Sequence, residues 1–175
     1  MRIDLSDVYS SDRKIRKEEV NIDITNLDIS GESYQVTKLS SLDFKFENVG
    51  TRKVHMTASF CISLLMSCDR CLSDVSEDLE INYETDLVRG DEDVRDDEDE
   101  IVSFADGNEL DVVELVKICV LMNMPSKVLC HADCKGLCPV CGNNLNLHDC
   151  GCDSFVPDPR MARIADIFNA SNKEV

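Results

Sequence analysis

Between Lys53 and Met66 the chain alternates apolar and polar side chains almost without interruption. Val54, Met56, Ala58, Phe60, Ile62, Leu64 and Met66 take the even positions, and Lys53, His55, Thr57, Ser59 and Ser63 the odd ones. A period of two over that length predicts a long strand with one buried face. The next run repeats the pattern, with Leu79, Ile81, Tyr83 and Leu87 set against Asp78, Glu80, Asn82 and Glu84. Shorter alternations upstream involve Val20, Ile22 and Ile24, and then Leu42, Phe44 and Phe46 against Asp43, Lys45 and Glu47. Ser30-Gly31 and Asn48-Val49-Gly50 supply turn chemistry between them. Strands with one apolar and one polar face belong to antiparallel sheets, so the first 90 residues read as one.

The period then changes. Val112, Val113, Leu115, Val116, Ile118, Cys119, Leu121 and Met122 leave only a narrow polar stripe of Asp111, Glu114 and Lys117. This predicts a largely buried helix laid across the sheet and ended near Pro125. Asn108 is the expected N-cap, with Asp111 in the first turn, where the helix dipole favours negative charge. Residues 128–153 are rich in Cys, Gly and Asn and too poor in apolar residues to build a core. A short final helix is expected from Asp158-Pro159, with Met161, Ile164, Ala165 and Phe168 as its apolar stripe. The fold class is therefore α+β: an antiparallel β-sheet with one buried helix, plus a C-terminal cysteine-rich zinc segment and a short terminal helix. The expected division is 1–126 for the sheet-and-helix domain and 127–175 for the zinc-binding segment. No repeat of solenoid length is visible.

Charge narrows the function classes. The formal net charge is -17. Residues 91–100 alone contain eight acids and one base, so the segment 89–100 is expected to be a solvated acidic loop. Such a field repels a phosphate backbone, and any RNA contact would need a local basic patch or a protein intermediary. Arg13-Lys14-Ile15-Arg16-Lys17 is the best local candidate; its plainer reading is a solvated surface segment. No stretch approaches the roughly 20 apolar residues of a membrane span. The start, Met1-Arg2-Ile3-Asp4-Leu5, lacks the layout of an export signal, so the expected location is cytoplasmic. In a reducing compartment, ten cysteines point to metal ligation rather than disulfides.

Eight of those cysteines lie in close pairs. Cys138-Pro139-Val140-Cys141-Gly142 has the form of a zinc knuckle, and Cys150-Gly151-Cys152 follows after a loop of eight residues. A gap of two residues in a tight turn lets both thiolates reach one metal at about 2.3 Å. Glycine after the second cysteine lets the backbone fold beneath it with positive φ. Cys138, Cys141, Cys150 and Cys152 thus form the first expected zinc site, tetrahedral and closed. Cys68-Asp69-Arg70-Cys71 is expected at a hairpin tip. Together with Cys130 and Cys134 it supplies a candidate second site, provided the tip lies beside the end of the helix. His131 and His148 are alternative ligands that read better as exposed loop residues, and Cys61 and Cys119 read as core. A redox pair would sit at a strand-to-helix junction, unlike Cys68 and Cys71 between strands. An iron–sulfur cluster would also accept four thiolates, but the CPxCG form favours zinc. Full thiolate sets close the metal, and the chain has no HExxH and no Gly-rich phosphate loop, so no catalytic role is expected.

Two stretches together resemble a known family. Leu129-Cys130-His131-Ala132-Asp133-Cys134-Lys135-Gly136-Leu137-Cys138-Pro139-Val140-Cys141-Gly142, followed by Asn144-Leu145-Asn146, Cys150-Gly151-Cys152 and Asp158-Pro159-Arg160, is similar to the C-terminal end of the YceD family. These are large-ribosomal-RNA subunit accumulation proteins of bacteria and plastids. Ser67-Cys68-Asp69-Arg70-Cys71-Leu72 resembles that family's central CxRCL element. The likeness covers roughly residues 50 to 170. It implies a non-enzymatic role in accumulation or processing of 23S ribosomal RNA and in assembly of the large subunit. The implied partner is a ribosomal protein or pre-ribosomal particle, and the acidic charge favours indirect contact with the RNA. The competing readings from the residues are a zinc-stabilised interaction adaptor unrelated to ribosomes, and a thiol redox protein or nuclease.

Overall fold

The computed structural model describes residues 1–50, 52–88 and 105–152. In chain order the elements are β1 (Arg2–Asp4), α1 (Ser6–Tyr9), β2 (Ile15–Val20), β3 (Asn26–Ile29), β4 (Glu32–Leu39), β5 (Leu42–Gly50), β6 (Lys53–Ser67), β7 (Asp74–Val88), β8 (Ala105–Asp106), β9 (Glu109–Asp111) and α2 (Val112–Asn123). The expected acidic loop 89–100 and the expected final helix from Asp158 lie outside the described residues. The chain forms two compact units. One holds Met1–Ser67 with Asp74–Val128; the other holds the β6–β7 loop, Cys68–Ser73, with the segment from Leu129.

The first unit is mostly antiparallel sheet. β6 is its central strand. Along one edge it pairs with β7 over its whole length, from Lys53 opposite Val88 to Ser67 opposite Asp74. Along the other edge it pairs first with β5 and then with β4. β2 extends the sheet beyond β5, and β3 extends it beyond β4. The even positions of β6 are the buried ones: Val54, Met56, Ala58, Ile62 and Leu64 are all at 1% exposure or less. Opposite them, Leu79, Ile81 and Leu87 of β7 are buried too. A second, three-stranded sheet runs β1-β9-β8, with Ile3 opposite Leu110.

The structure corrects four local expectations. First, the strand expected over Val20–Ile24 lies upstream at Ile15–Val20, because β2 takes its register from β5, Ile15 opposite Glu47 and Val20 opposite Leu42. Ile22 and Ile24 fall in the connection, half-buried against the core. Of the basic segment, Arg16 and Lys17 lie in β2, whereas Arg13 and Lys14 precede it. Second, Asn48-Val49-Gly50 is not a turn. The ladder shifts register between Asn48 and Gly50, a bulge that ends β5. Asn48 is buried there with its amide satisfied: Nδ2 donates to the carbonyls of Val8 (2.8 Å) and Tyr9 (3.3 Å), and Oδ1 accepts from Gly50 N–H (3.0 Å). Third, the N-cap of α2 is Asp111, whose carboxylate accepts from the N–H groups of Val113 and Glu114. Asn108 instead sits in the β8–β9 turn, donating to Ser6 Oγ. Fourth, α2 buries one face rather than most of its surface. Val112, Leu115, Val116, Cys119 and Val120 are buried, while Leu121 and Met122 are exposed. The buried face lies toward β7 and β3.

The hairpin turn at Ser30-Gly31 appears where the residues predict it. Both residues have positive φ, 51° and 90°, as a two-residue hairpin turn requires.

Cys61 and Cys119 separate. Cys119 is fully buried in α2, and burial pushes its thiol up to about 12, so it stays protonated near neutral pH. Cys61 is exposed, on the odd-numbered face of β6. Its parity in the alternating pattern already places it there, against a core assignment. Iodoacetamide treatment of the folded chain, read by peptide mass spectrometry, is expected to label Cys61 and spare Cys119 until denaturant is added. Equal labelling of the two without denaturant would contradict this packing.

Candidate metal centre

The two CxxC turns share one backbone design. In the first, Leu72 N–H donates to Cys68 C=O at 2.9 Å; in the second, Gly142 N–H donates to Cys138 C=O at 2.9 Å. The residue four places after the first cysteine has positive φ in both, 58° at Leu72 and 74° at Gly142. This left-handed step turns the chain under the sulfurs and aims backbone N–H groups at them. Glycine meets the requirement without strain at 142, whereas Leu72 meets it with its side chain exposed.

The eight paired cysteines gather as two quartets, Cys68, Cys71, Cys130 and Cys134, and Cys138, Cys141, Cys150 and Cys152. Within each, the four sulfurs lie within 4.8 Å of one another. Cys68 Sγ is 3.9 Å from Cys134 Sγ, and Cys71 Sγ is 3.5 Å from Cys130 Sγ. Four sulfurs each about 2.3 Å from one tetrahedral metal stand about 3.8 Å apart, so these distances fit a shared ion. All ten cysteines are free thiols. Each quartet can therefore hold a metal ion. His148 joins neither group, and His131 only lies beside one ligand, with Nδ1 3.1 Å from Cys130 Sγ.

The first quartet depends on contacts far apart in sequence. Arg70, between Cys68 and Cys71, donates from Nη1 to Cys134 C=O at 2.8 Å. Its own carbonyl accepts from Leu137 N–H at 3.1 Å. Cys130 N–H points at Cys68 Sγ, 3.4 Å away. The loop and the later segment are thus zipped side by side, and that brings the two cysteine pairs together.

The electrostatics of the quartets are compatible with a shared cation. Burial pushes the Cys68 thiol up, but the N–H groups of Arg70, Cys130 and Cys71 outweigh it and bring it down to about 6. The N–H groups of Cys141 and Val140 bring Cys138 down to about 6 as well. In contrast, Cys130 is driven up to about 12, by burial first and then by the neighbouring thiols. Cys152 rises to about 12 because Cys141 and Cys150 crowd it. Sulfurs this close do not carry four negative charges unaided, and a divalent ion at their centre removes the penalty. The donor set is all soft thiolate, which selects zinc, copper(I) or iron–sulfur over magnesium or calcium.

Gly136 sits where the later segment passes close to the backbone of Arg70. Its φ is +79°, and a Cβ added there would lie 3.1 Å from the carbonyl oxygen of Arg70. Gly136→Ala is therefore expected to cost about 1–2 kcal/mol in backbone strain alone and to loosen the first quartet. A chelator competition should show metal leaving that site at roughly tenfold lower chelator concentration, as a penalty of about 1.4 kcal/mol implies. An unchanged competition curve would contradict the close approach.

The sequence singled out all eight clustered cysteines. It did not reveal the supporting donors. Arg70 and Asn146 (whose Nδ2 donates to Cys134 Sγ at 3.3 Å) stood only as letters of a motif.

Among the described residues, no helix is long and apolar enough to cross a membrane. Neither the curated proteins nor the solved structures provide a match to the chain. A family model does match, over residues 55–168, and that span contains β7, α2, Cys68–Cys71 and every cysteine from Cys130 to Cys152. With well over half of its length matched, the chain belongs to the YceD family, described as large ribosomal RNA subunit accumulation protein.

Proposed function

We propose that the protein is a non-enzymatic assembly factor of the large ribosomal subunit, supporting accumulation and processing of 23S ribosomal RNA in the cytoplasm. The observation that carries this reading is the family match over residues 55–168. The chemistry of the quartets agrees with a structural role. Four thiolates leave a metal no open position for substrate, so zinc at Cys68, Cys71, Cys130 and Cys134, and at Cys138, Cys141, Cys150 and Cys152, would hold shape rather than react. In this reading residues 127–175, with the β6–β7 loop, form the zinc-binding module.

The partner is a ribosomal protein or another component of a pre-ribosomal particle, and contact with the RNA is indirect. The net charge of -17 supports this. So does the fate of the local basic segment. Lys14 Nζ pairs with Asp7 at 2.8 Å, and Arg16 pairs with Asp7 at 3.0 Å and with Glu18. Two of its four cations are thereby drawn into the fold's own ion pairs instead of facing a phosphate backbone.

Depletion of the protein is expected to raise 23S precursor levels and lower large-subunit abundance, read by northern blot and sucrose-gradient profiles. The protein should co-sediment with pre-large-subunit particles. Unchanged precursors and subunits after depletion would overturn the reading. An adaptor unrelated to ribosomes would leave the gradient profile intact and stay out of the particle fractions.

A further inference from the structure

The two quartets are not independent. The loop between Cys141 and Cys150, which a metal at the second quartet would close, doubles back along residues 135–138. Cys138 N–H donates to Asn143 C=O (2.8 Å), Leu145 N–H donates to Gly136 C=O (2.9 Å), and Leu137 bridges to Asn144. That run delivers Asn146 to the first quartet. Its Oδ1 accepts from Lys135 N–H at 2.8 Å, which fixes the orientation of the amide, since a backbone N–H can only donate. The Nδ2 group then donates to Cys134 Sγ at 3.3 Å and to Asn144 Oδ1 at 2.9 Å. Asn144 Oδ1 also accepts Asn146 N–H at 2.9 Å, so the loop tip is tied to itself.

We propose that Asn146 couples the two metal sites: loading the second quartet closes the loop that presses an N–H donor onto a ligand sulfur of the first, so each metal tightens the other. The proposal rests on the reading of both quartets as metal sites. Its physical basis is that an N–H donor to a metal-bound thiolate spreads the sulfur's negative charge and holds the ligand in place. A donor that stays docked only while its loop is closed transmits the state of the loop to that sulfur. Linkage makes the effect reciprocal. Asn146 is a positioning residue: it touches a ligand sulfur and belongs to neither ligand set.

The test uses the full chain, with zinc and cobalt(II) as probes, in a double-mutant cycle. One arm disables the second quartet with Cys150→Ser and Cys152→Ser together; the other replaces Asn146 with Ala. Zinc affinity of the first quartet is read by competition with a chromophoric chelator. A hydrogen bond to a charged group contributes enough for a loss on the order of tenfold or more in affinity. Each arm alone should weaken the first site by that factor, and the two combined should weaken it no further. Asn146→Asp keeps the acceptor for Lys135 N–H but turns a carboxylate toward the thiolate, so it should weaken the site more than Ala does. In the cobalt form with both sites loaded, Asn146→Ala should also move the thiolate-to-cobalt charge-transfer band to longer wavelength, which a merely looser loop would not do. Two metals bound with independent affinities, and no response to Asn146→Ala, would overturn the coupling while leaving both sites standing. A full chain that takes up no metal would overturn the coupling and the metal reading together.

Discussion

Stripping metal from the protein is expected to unfold the cysteine-rich unit and leave the sheet unit folded. Among the described residues of the cysteine-rich unit, the buried side chains are thiols: Cys68, Cys71, Cys134 and Cys138. Leu72, Val140 and Leu147 are exposed. Among the described residues, no buried apolar side chain of this unit is left to hold the backbone without a metal. In small zinc modules the apparent metal-binding free energy at neutral pH is about 10–16 kcal/mol and is in effect folding free energy. That exceeds what a segment of this size retains by other means. Hydrogen exchange of the chelated protein should therefore show loss of protection over Cys68–Ser73 and 129–152, with β6, β7 and α2 still protected. A single ligand change, Cys134→Ser, should reproduce the loss at the first quartet. Acid acts in the same direction, because the ligands bind metal as thiolates and affinity falls as protons compete. Full protection of residues 129–152 after chelation would contradict a metal-held unit.

Phe46→Ala is expected to be the most damaging single change in the sheet unit, at about 3–5 kcal/mol. Phe46 has no exposed surface and stands in β5, opposite Met56 on one side and Arg16 on the other. Its ring stacks on Phe44 with centroids 5.7 Å apart and planes 6° from parallel. Truncation removes the buried ring, leaves a cavity and ends the stacking contact. Domains of this kind are stable by only about 5–15 kcal/mol, so the loss is a large part of the whole. Urea unfolding of the metal-loaded chain should show the midpoint falling with little change in slope. Val49→Ala, exposed on the same strand, should stay within about 0.5 kcal/mol of the parent. Equal effects at the two positions would contradict the assigned faces of β5.

The features legible in the residues are those with local causes. The alternation across β6 and β7 marks the buried face directly; Cys61, expected in the core, stands exposed on the odd-numbered face instead. The CxxC spacing marks the knuckles because a short turn between two thiols is itself a local geometry. What the residues hide is set by distant partners. β1 exists because Ile3 meets Leu110 more than a hundred positions away. β9 then occupies Glu109–Asp111, so the cap of α2 moves from Asn108 to Asp111. β4 carries a register shift between Val36 and Lys38, which breaks its alternation and conceals it as a strand. The grouping of Cys68 and Cys71 with Cys130 and Cys134 is a candidate in the residues, but the contacts of Arg70 and Gly136 that bring the two segments side by side are not legible there.

We propose two closed, all-thiolate zinc sites that hold the cysteine-rich unit of this family member in shape. Zinc-edge X-ray absorption on the purified full chain, with metal content measured on the same sample, tests this most directly. Two zinc ions per chain, each with a first shell of four sulfurs at about 2.3 Å, are expected. Nitrogen or oxygen in the first shell, or fewer than two zinc ions per chain, would contradict the proposal.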